Sequence, residues 1–214
     1  MDGLEFFHIN RSVQWSSHQS LTVGQEVEAG TEINPYFSFY EKTSMTFPVT
    51  FESGQVVHSP AVKFLGSVMR GEVNPLNLPQ DAFNVARHFV VLARELFWES
   101  VRLAEFPDRP SRHRCLWLCS SLENARDWFS RLEITKFDYQ LLKVSVNGRL
   151  HKANELLLLG DSEPLEITRV KAREYWQGLQ AEGGREEILF EGRMKVLEIL
   201  ETKSKTVEPP CTPS

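Results

Sequence analysis

Three short segments carry the side chains with chemistry to offer. Phe6-Phe7-His8-Ile9-Asn10 sets a histidine at the end of an apolar run. Cys115-Leu116-Trp117-Leu118-Cys119-Ser120-Ser121 reads as a buried strand ending in two hydroxyls. Arg185-Glu186-Glu187-Ile188-Leu189-Phe190 sets a carboxylate at the mouth of a strand. Each segment also has a plain structural reading: a strand-edge histidine, a helix cap, a solvated strand-end charge. Two further groups belong beside them. The aromatics of Asn34-Pro35-Tyr36-Phe37-Ser38-Phe39-Tyr40 either stack on a planar ligand or close one end of the core. Arg109 and Arg112 flank Pro110-Ser111, and either grip a phosphate bidentately or pair with an acidic helix face.

Other chemistries find little support. The chain has no Cys-x-x-Cys and no His-x-x-x-His, so no metal site is expected. No Gly-x-Gly-x-x-Gly follows a strand, and there is no Walker loop and no Gly-x-Ser-x-Gly elbow. Cys115 and Cys119 share a strand face but stand about 13 Å apart at ~3.3 Å per residue, too far to bridge. With Cys211 the count is odd and sparse, which suits a reducing cytoplasm.

The elements that must position these residues read as follows. Leu4 to Ile9 is a strand, and Leu21 to Val27 follows with Gly24 as a turn. Pro35 argues against a central strand, so Asn34 to Tyr40 is expected as a loop or edge segment. From about residue 60 to 105 the period turns helical, with Phe83, Ala86, Phe89, Val90, Phe97 and Val101 inward and Arg94 and Glu95 outward. That helix should end before Pro107. A helix from Leu122 to Arg131 follows the strand, with Ser120 and Glu123 as a capping box. Tyr139 to Val146 is a strand closed by an Asn147-Gly148 turn. Leu156 to Leu159 is a short strand, Ile167 to Leu179 a helix, and Ile188 to Leu200 one or two strands around Gly192. The proline-bearing tail 202–214 is expected to be disordered.

At 214 residues, 41% hydrophobic and 25% charged, the chain suits one globular domain, residues 1–201. A net charge of −5 speaks against a general nucleic-acid coat. Met1-Asp2-Gly3-Leu4-Glu5 lacks the basic end of a signal peptide, and no apolar run approaches ~18 residues. A cytoplasmic protein with no membrane contact is expected.

In their order along the chain, the three segments resemble the three-part NAD-binding signature of ADP-ribosyltransferases: His or Arg, then an aromatic or Ser-containing strand, then an acid. Leu21 to Glu26, Leu116 to Trp128 and Leu142 to Gly148 are similar to segments of the rifamycin-modifying members. Trp117 stands where those enzymes have a tyrosine, and an indole cannot accept a hydrogen bond. Asn34-Pro35-Tyr36-Phe37, Phe106-Pro107 with Pro110-Ser111-Arg112, Tyr175-Trp176 and Glu187-Ile188-Leu189-Phe190 resemble an uncharacterised bacterial domain family more closely still. No function comes with that second likeness. The resemblance spans residues 5–200.

The resemblance implies an α+β fold with a split antiparallel β-sheet core and a helical insertion at 60–105. It implies NAD as substrate and transfer of ADP-ribose to an acceptor. His8 would hydrogen-bond a ribose hydroxyl while the backbone of Ile9 holds the carboxamide. Trp117, Ser120 and Ser121 would wall the nicotinamide pocket, with Tyr36 and Phe37 as stacking surfaces and Arg109 and Arg112 on the pyrophosphate. Glu187 would hold the 2′-hydroxyl of the nicotinamide ribose and steady the oxocarbenium-like cation. Glu155 competes for that role, since it follows the Gly148 turn where the rifamycin enzymes carry their aspartate. A macromolecular acceptor, protein or nucleic acid, is expected from the insertion. A toxin or phage-defence effector held by an antitoxin or inhibitor protein follows from analogy of fold alone. The rival readings are a catalytically dead nucleotide- or peptide-binding module of the same fold, a small-molecule transferase, and an NAD glycohydrolase.

Overall fold

The computed structural model describes residues 3–12, 20–50, 53–158, 163–180 and 182–203. The described strands are β1 (Leu4–Arg11), β2 (Glu26–Ala29), β3 (Thr46–Thr50), β4 (Val56–Pro60), β5 (Leu116–Leu118), β6 (Tyr139–Asn154) and β7 (Glu186–Lys203). The described α-helices are α1 (Pro35–Lys42), α2 (Ala61–Met69), α3 (Leu78–Glu105), α4 (Leu122–Arg131) and α5 (Leu165–Gln177). This is an α+β fold with antiparallel sheets.

β6 and β7 pair along their whole length, from Tyr139 opposite Lys203 to Asn154 opposite Glu186. β1 lies on the free side of β6. β5 and β2 follow one another along the free side of β7. Cys119, just past β5, exchanges both backbone hydrogen bonds with Phe7 of β1, at 2.9 and 2.8 Å. The sheet therefore curls until two of its edges meet, which removes unpaired backbone groups that would otherwise stand open. Inside the curl lie Phe6, Leu118, Leu142, Val144, Ile188, Phe190 and Met194. Outside, α3 and α5 cover one surface through Trp98, Tyr175 and Trp176, and α4 covers another through Ala125 and Phe129.

Several expectations change. Asn34 to Tyr40 is not a loop or an edge but the start of α1. The Asn34 side chain accepts from Phe37 N at 2.9 Å, and Pro35 sits in the first turn, where its missing N–H costs nothing. Asn147-Gly148 is no turn: both lie inside β6, with Gly148 opposite Gly192 of β7. The run from Leu156 is a 3₁₀ turn (Glu155–Leu158), and Leu159 lies outside the described residues. Ser121, not Ser120, caps α4. Before the expected insertion stands a β3–β4 hairpin that periodicity did not show. β7 runs two residues past the expected boundary at 201, and 204–214, with Cys211, lie outside the described residues. No described helix is long and apolar enough to cross a membrane.

α3 ends before Pro107 as expected, but its burial does not follow its apolar residues. Val101 is buried as expected, but Phe83, Ala86 and Phe89 are exposed, and Val85, His88, Glu95, Trp98 and Arg102 are buried in their place. Polar side chains win that face because the body of the protein supplies partners for them.

The close approach of β6 and β7 at their glycines is a checkable point. A Cβ on Gly148 would lie 2.2 Å from Glu191 O and 2.8 Å from Gly192 Cα, both backbone atoms. Gly148→Ala is expected to destabilise the fold by about 1–3 kcal/mol, read as a lowered urea midpoint. An unchanged midpoint would show that the strands part at no cost.

Candidate functional site

Two periodicities build the site. On α3, Glu95 and Glu99 stand one turn apart; on β7, Glu187 and Glu191 fall on the same face. The dipeptide Ser111-Arg112, in the loop between α3 and β5, is gripped from both sides. Ser111 donates its hydroxyl to Glu99 at 2.9 Å and its N–H to Glu191 at 2.8 Å. Arg112 donates Nε and Nη2 to Glu95 at 2.9 and 3.2 Å, and Nη1 to Glu187 at 2.6 Å. Asn34, having capped α1 with its oxygen, donates its amide nitrogen to Arg112 O at 2.8 Å. α1, α3, β7 and the loop are thus tied together at one point.

Aromatic hydroxyls and an indole complete the arrangement. The Tyr175 phenol of α5 accepts from Arg112 and donates to Glu187 Oε2, each at 2.6 Å. Trp117 of β5 donates Nε1 to Glu187 Oε1 at 2.8 Å. Arg94 donates Nη2 to Glu95 Oε1 and to the Tyr36 hydroxyl, both at 3.1 Å. Tyr36 packs edge-on against Trp117, with ring centroids 5.6 Å apart. Two carboxylates and two guanidiniums make the centre neutral overall.

The charge states follow from this pairing. Burial pushes the Glu95 carboxyl up, but Arg112 and Arg94 beside it outweigh burial and hold it below the usual carboxylate range. Burial opposes the charge on Arg112, yet Glu187 and Glu95 hold its pKa well above the usual value. Burial raises the Tyr36 phenol, helped by Glu95. Burial also raises the Tyr175 phenol, so it stays a neutral donor to Glu187. The Cys119 thiol is pushed up to about 12 by burial and by Glu186, which makes it a poor nucleophile.

The residues expected at a site divide into groups. His8, Trp117, Tyr36, Arg112 and Glu187 come together. His8 donates Nδ1 to the Trp117 carbonyl at 2.9 Å, so β1 touches β5 through a side chain as well as through the Phe7–Cys119 bridge. Ile9 pairs with Leu141 of β6 and packs its side chain toward α4, away from His8. Phe37 turns from Tyr36 and stacks on His113, centroids 3.5 Å apart, lining a separate open cleft of about 600 Å³. Arg109 and Arg112 form no pair: Arg109 is exposed, and Arg112 is only 3% exposed within the network. Ser121 accepts from Asn124 N at 3.0 Å as the cap of α4, and Ser120 is exposed. Glu155 belongs to a different ion cluster, with Arg131 and with Arg185, the latter at 3.1 Å. Among the described residues no group of three His, Cys, Asp or Glu side chains is placed to hold a metal ion.

Sequence reasoning missed Glu95, Arg94 and Tyr175 as members. Glu95 was legible in one respect: His88, Glu95 and Arg102 recur every seven residues, and that polar stripe follows the face that carries Trp98.

The fold and site define an α+β domain in which a buried, charge-balanced centre lies between the outer face of the curled antiparallel sheet and the helices α3 and α5, at the start of β7. The sequence model of one family, described as "Protein of unknown function (DUF2441)", matches residues 6–202, and the chain belongs to that family. No curated protein matches it.

Two outcomes follow. Arg112→Met leaves Glu187 without its cation and is expected to cost about 3–5 kcal/mol in urea unfolding, whereas exposed Arg109→Ala should stay within about 0.5 kcal/mol. Equal effects would refute the central place of Arg112. His151, on β6, is buried, stacks on Trp176, and donates Nε2 to Tyr175 O at 2.9 Å. Burial lowers its pKa from 6.5 to about 4, with the Tyr175 carbonyl opposing. A depressed folded pKa gives stability that is full above pH 6.5 and lost as pH falls through 4. Between pH 7 and 5 its share of the loss is roughly 2 kcal/mol, and His151→Gln should remove that share; the same pH slope in both proteins would refute it.

Proposed function

We propose that the chain is an NAD-dependent ADP-ribosyltransferase whose working face lies where β1, β5 and β7 meet. The observation that carries the reading is the adjacency of the three signature segments. His8 bonds Trp117, 109 residues on, and Trp117 bonds Glu187, another 70 residues on. Three segments distant in sequence stand on neighbouring strands in the order that the resemblance to ADP-ribosyltransferases requires.

In this reading the glycosidic bond between C1′ of the ribose and the nicotinamide nitrogen breaks. The bonding electrons leave with nicotinamide, which becomes neutral. The ribose carries positive charge toward C1′, and the Glu187 carboxylate stabilises it because it is fixed before the charge appears. An acceptor lone pair then closes on C1′ and the acceptor gives up its proton. Tyr36 and Trp117 supply the planar surfaces for the rings, and Arg94 supplies a cation beside Tyr36. Glu187 suits this role better than Glu155, because Glu187 is held by the Trp117 indole beside Tyr36, whereas the Glu155 carboxylate is bound to Arg131 and Arg185. The β3–β4 hairpin and α2 add surface that suits a macromolecular acceptor.

One observation favours the rival reading of a binding module: Glu187 already takes three donors, from Trp117, Arg112 and Tyr175, at four lone-pair sites. Nicotinamide release from NAD⁺ by purified protein, with and without cell lysate, decides between them. Glu187→Gln is the informative variant, because Glu187→Ala would strip Arg112 of a partner and disturb the fold. The expected result is release by the wild type, reduced about 100-fold or more in Glu187→Gln, with Glu155→Gln close to wild type. Free ADP-ribose without labelled acceptor would identify a glycohydrolase. No release, with no NAD binding by calorimetry, would leave the binding module.

A further inference from the structure

Glu95 sits on a helix outside the three signature strands, yet it is 1% exposed and faces the cation that holds Glu187. We infer that Glu95 is a positioning residue for Glu187, acting through Arg112, an inference that rests on the transferase reading above.

The geometry gives it two tasks. The first is orientation. A guanidinium is a rigid plane with five N–H donors. Glu95 occupies the Nε and Nη2 edge at 2.9 and 3.2 Å, so Arg112 meets Glu187 and the Tyr175 phenol with Nη1 alone, at 2.6 Å each. The plane cannot turn to take Glu187 by two nitrogens while Glu95 holds that edge. Oε1 of Glu187 therefore stays with the Trp117 indole, at 2.8 Å, on the side of the aromatic surfaces.

The second task is charge. Arg112 alone against Glu187 would cancel the field that the carboxylate offers to a developing cation. Glu95 cancels Arg112 instead, and Arg94, at 3.1 Å from Glu95, restores neutrality from the outer side. The groups facing Glu187 are Arg112 from the loop, Tyr175 from α5 and Trp117 from β5. Those facing Glu95 are Arg112, Arg94, Tyr36 and, at its backbone carbonyl, His113. A helix residue thereby sets what a strand residue can do, although neither touches the other.

Two variants separate the tasks. Glu95→Gln keeps the length and removes the charge; Glu95→Asp keeps the charge but is too short to span Nε and Nη2. Each is compared with wild type in nicotinamide release, in NAD affinity by calorimetry, and in the indole N–H resonance of Trp117, assigned with Trp117→Phe. The expected result is a kcat lowered about 10- to 100-fold, NAD affinity unchanged, and a moved Trp117 indole resonance. A purely structural role would lower the melting temperature and leave kcat of the folded protein alone. Either variant, folded, with wild-type kcat and an unmoved indole resonance overturns the role of Glu95 while leaving the transferase reading in place. A wild type that releases no nicotinamide sinks that reading, and the role of Glu95 with it. Should Glu95→Gln fail to fold, Glu95→Asp decides by the same measurements.

Discussion

A guanidinium stands where α3, β5, β7 and α5 converge, and its charge must be matched before the surrounding apolar side chains can pack. Removing an ion from water costs several kcal/mol, and the attraction of one partner does not reliably return it. Arg112 meets this cost with two carboxylates, a phenol and complete burial. Its neighbour Ser111 repeats the pattern one helical turn further along, between Glu99 and Glu191. The rest of the architecture depends on this double clamp. It fixes α3 against β7, holds the loop before β5 in register, and through Asn34 sets where α1 begins.

The clamp also accounts for the curl of the sheet. β5 is only three residues long and pairs with β7 through Leu116, Trp117 and Leu118. So short a strand has little hold of its own. It is delivered to β7 at a fixed point because the loop before it is pinned, and it reaches β1 through Cys119 and the His8–Trp117 bond. Gly148 and Gly192 let β6 and β7 lie close where the curl needs it; a side chain at either would meet backbone. Local backbone freedom and a distant ion pair thus serve the same closure.

Much of the fold was legible because hydrophobic period follows burial in most elements. The strand at Leu116 to Leu118, the helix at Leu122 to Arg131 and the end of α3 before Pro107 lie where apolar spacing and proline geometry put them. The failures share a cause. Gly148 read as a turn because Asn-Gly is a local signal, whereas its reason is a partner strand some forty residues on. Glu95 read as solvent-facing because a charge is usually exposed, whereas Arg112 waits for it inside. Pro35 read as a strand breaker, while it opens a helix. Of the site, Trp117, Glu187, Tyr36 and His8 were found as types at plausible places. Their grouping needed the sheet closure, which no local pattern encodes. Arg109 and Arg112, three residues apart in one loop, could not be told apart by sequence, although one is exposed and the other is the centre of the molecule.

The same network bears on whether a carboxylate so fully engaged can still act. Donors around Glu187 restrict its motion and share its charge, which argues for structure. Yet stabilising a transient cation asks for an anion that need not reorganise when the charge appears, and restriction supplies that. What matters is whether the neighbours leave net negative charge on the side that faces the aromatic surfaces. Trp117 and Tyr175 are neutral donors, and among the described residues the full positive charge paired with Glu187 is Arg112, which Glu95 offsets from behind. A lone buried ion pair presents only the field of a dipole; an acid–base–acid row carries net negative charge as well. At the Glu95 end Arg94 closes the row, whereas at the Glu187 end an indole and a phenol are the further donors among the described residues. That asymmetry is a physical reason to look for chemistry at Glu187 rather than at any other buried acid of this chain.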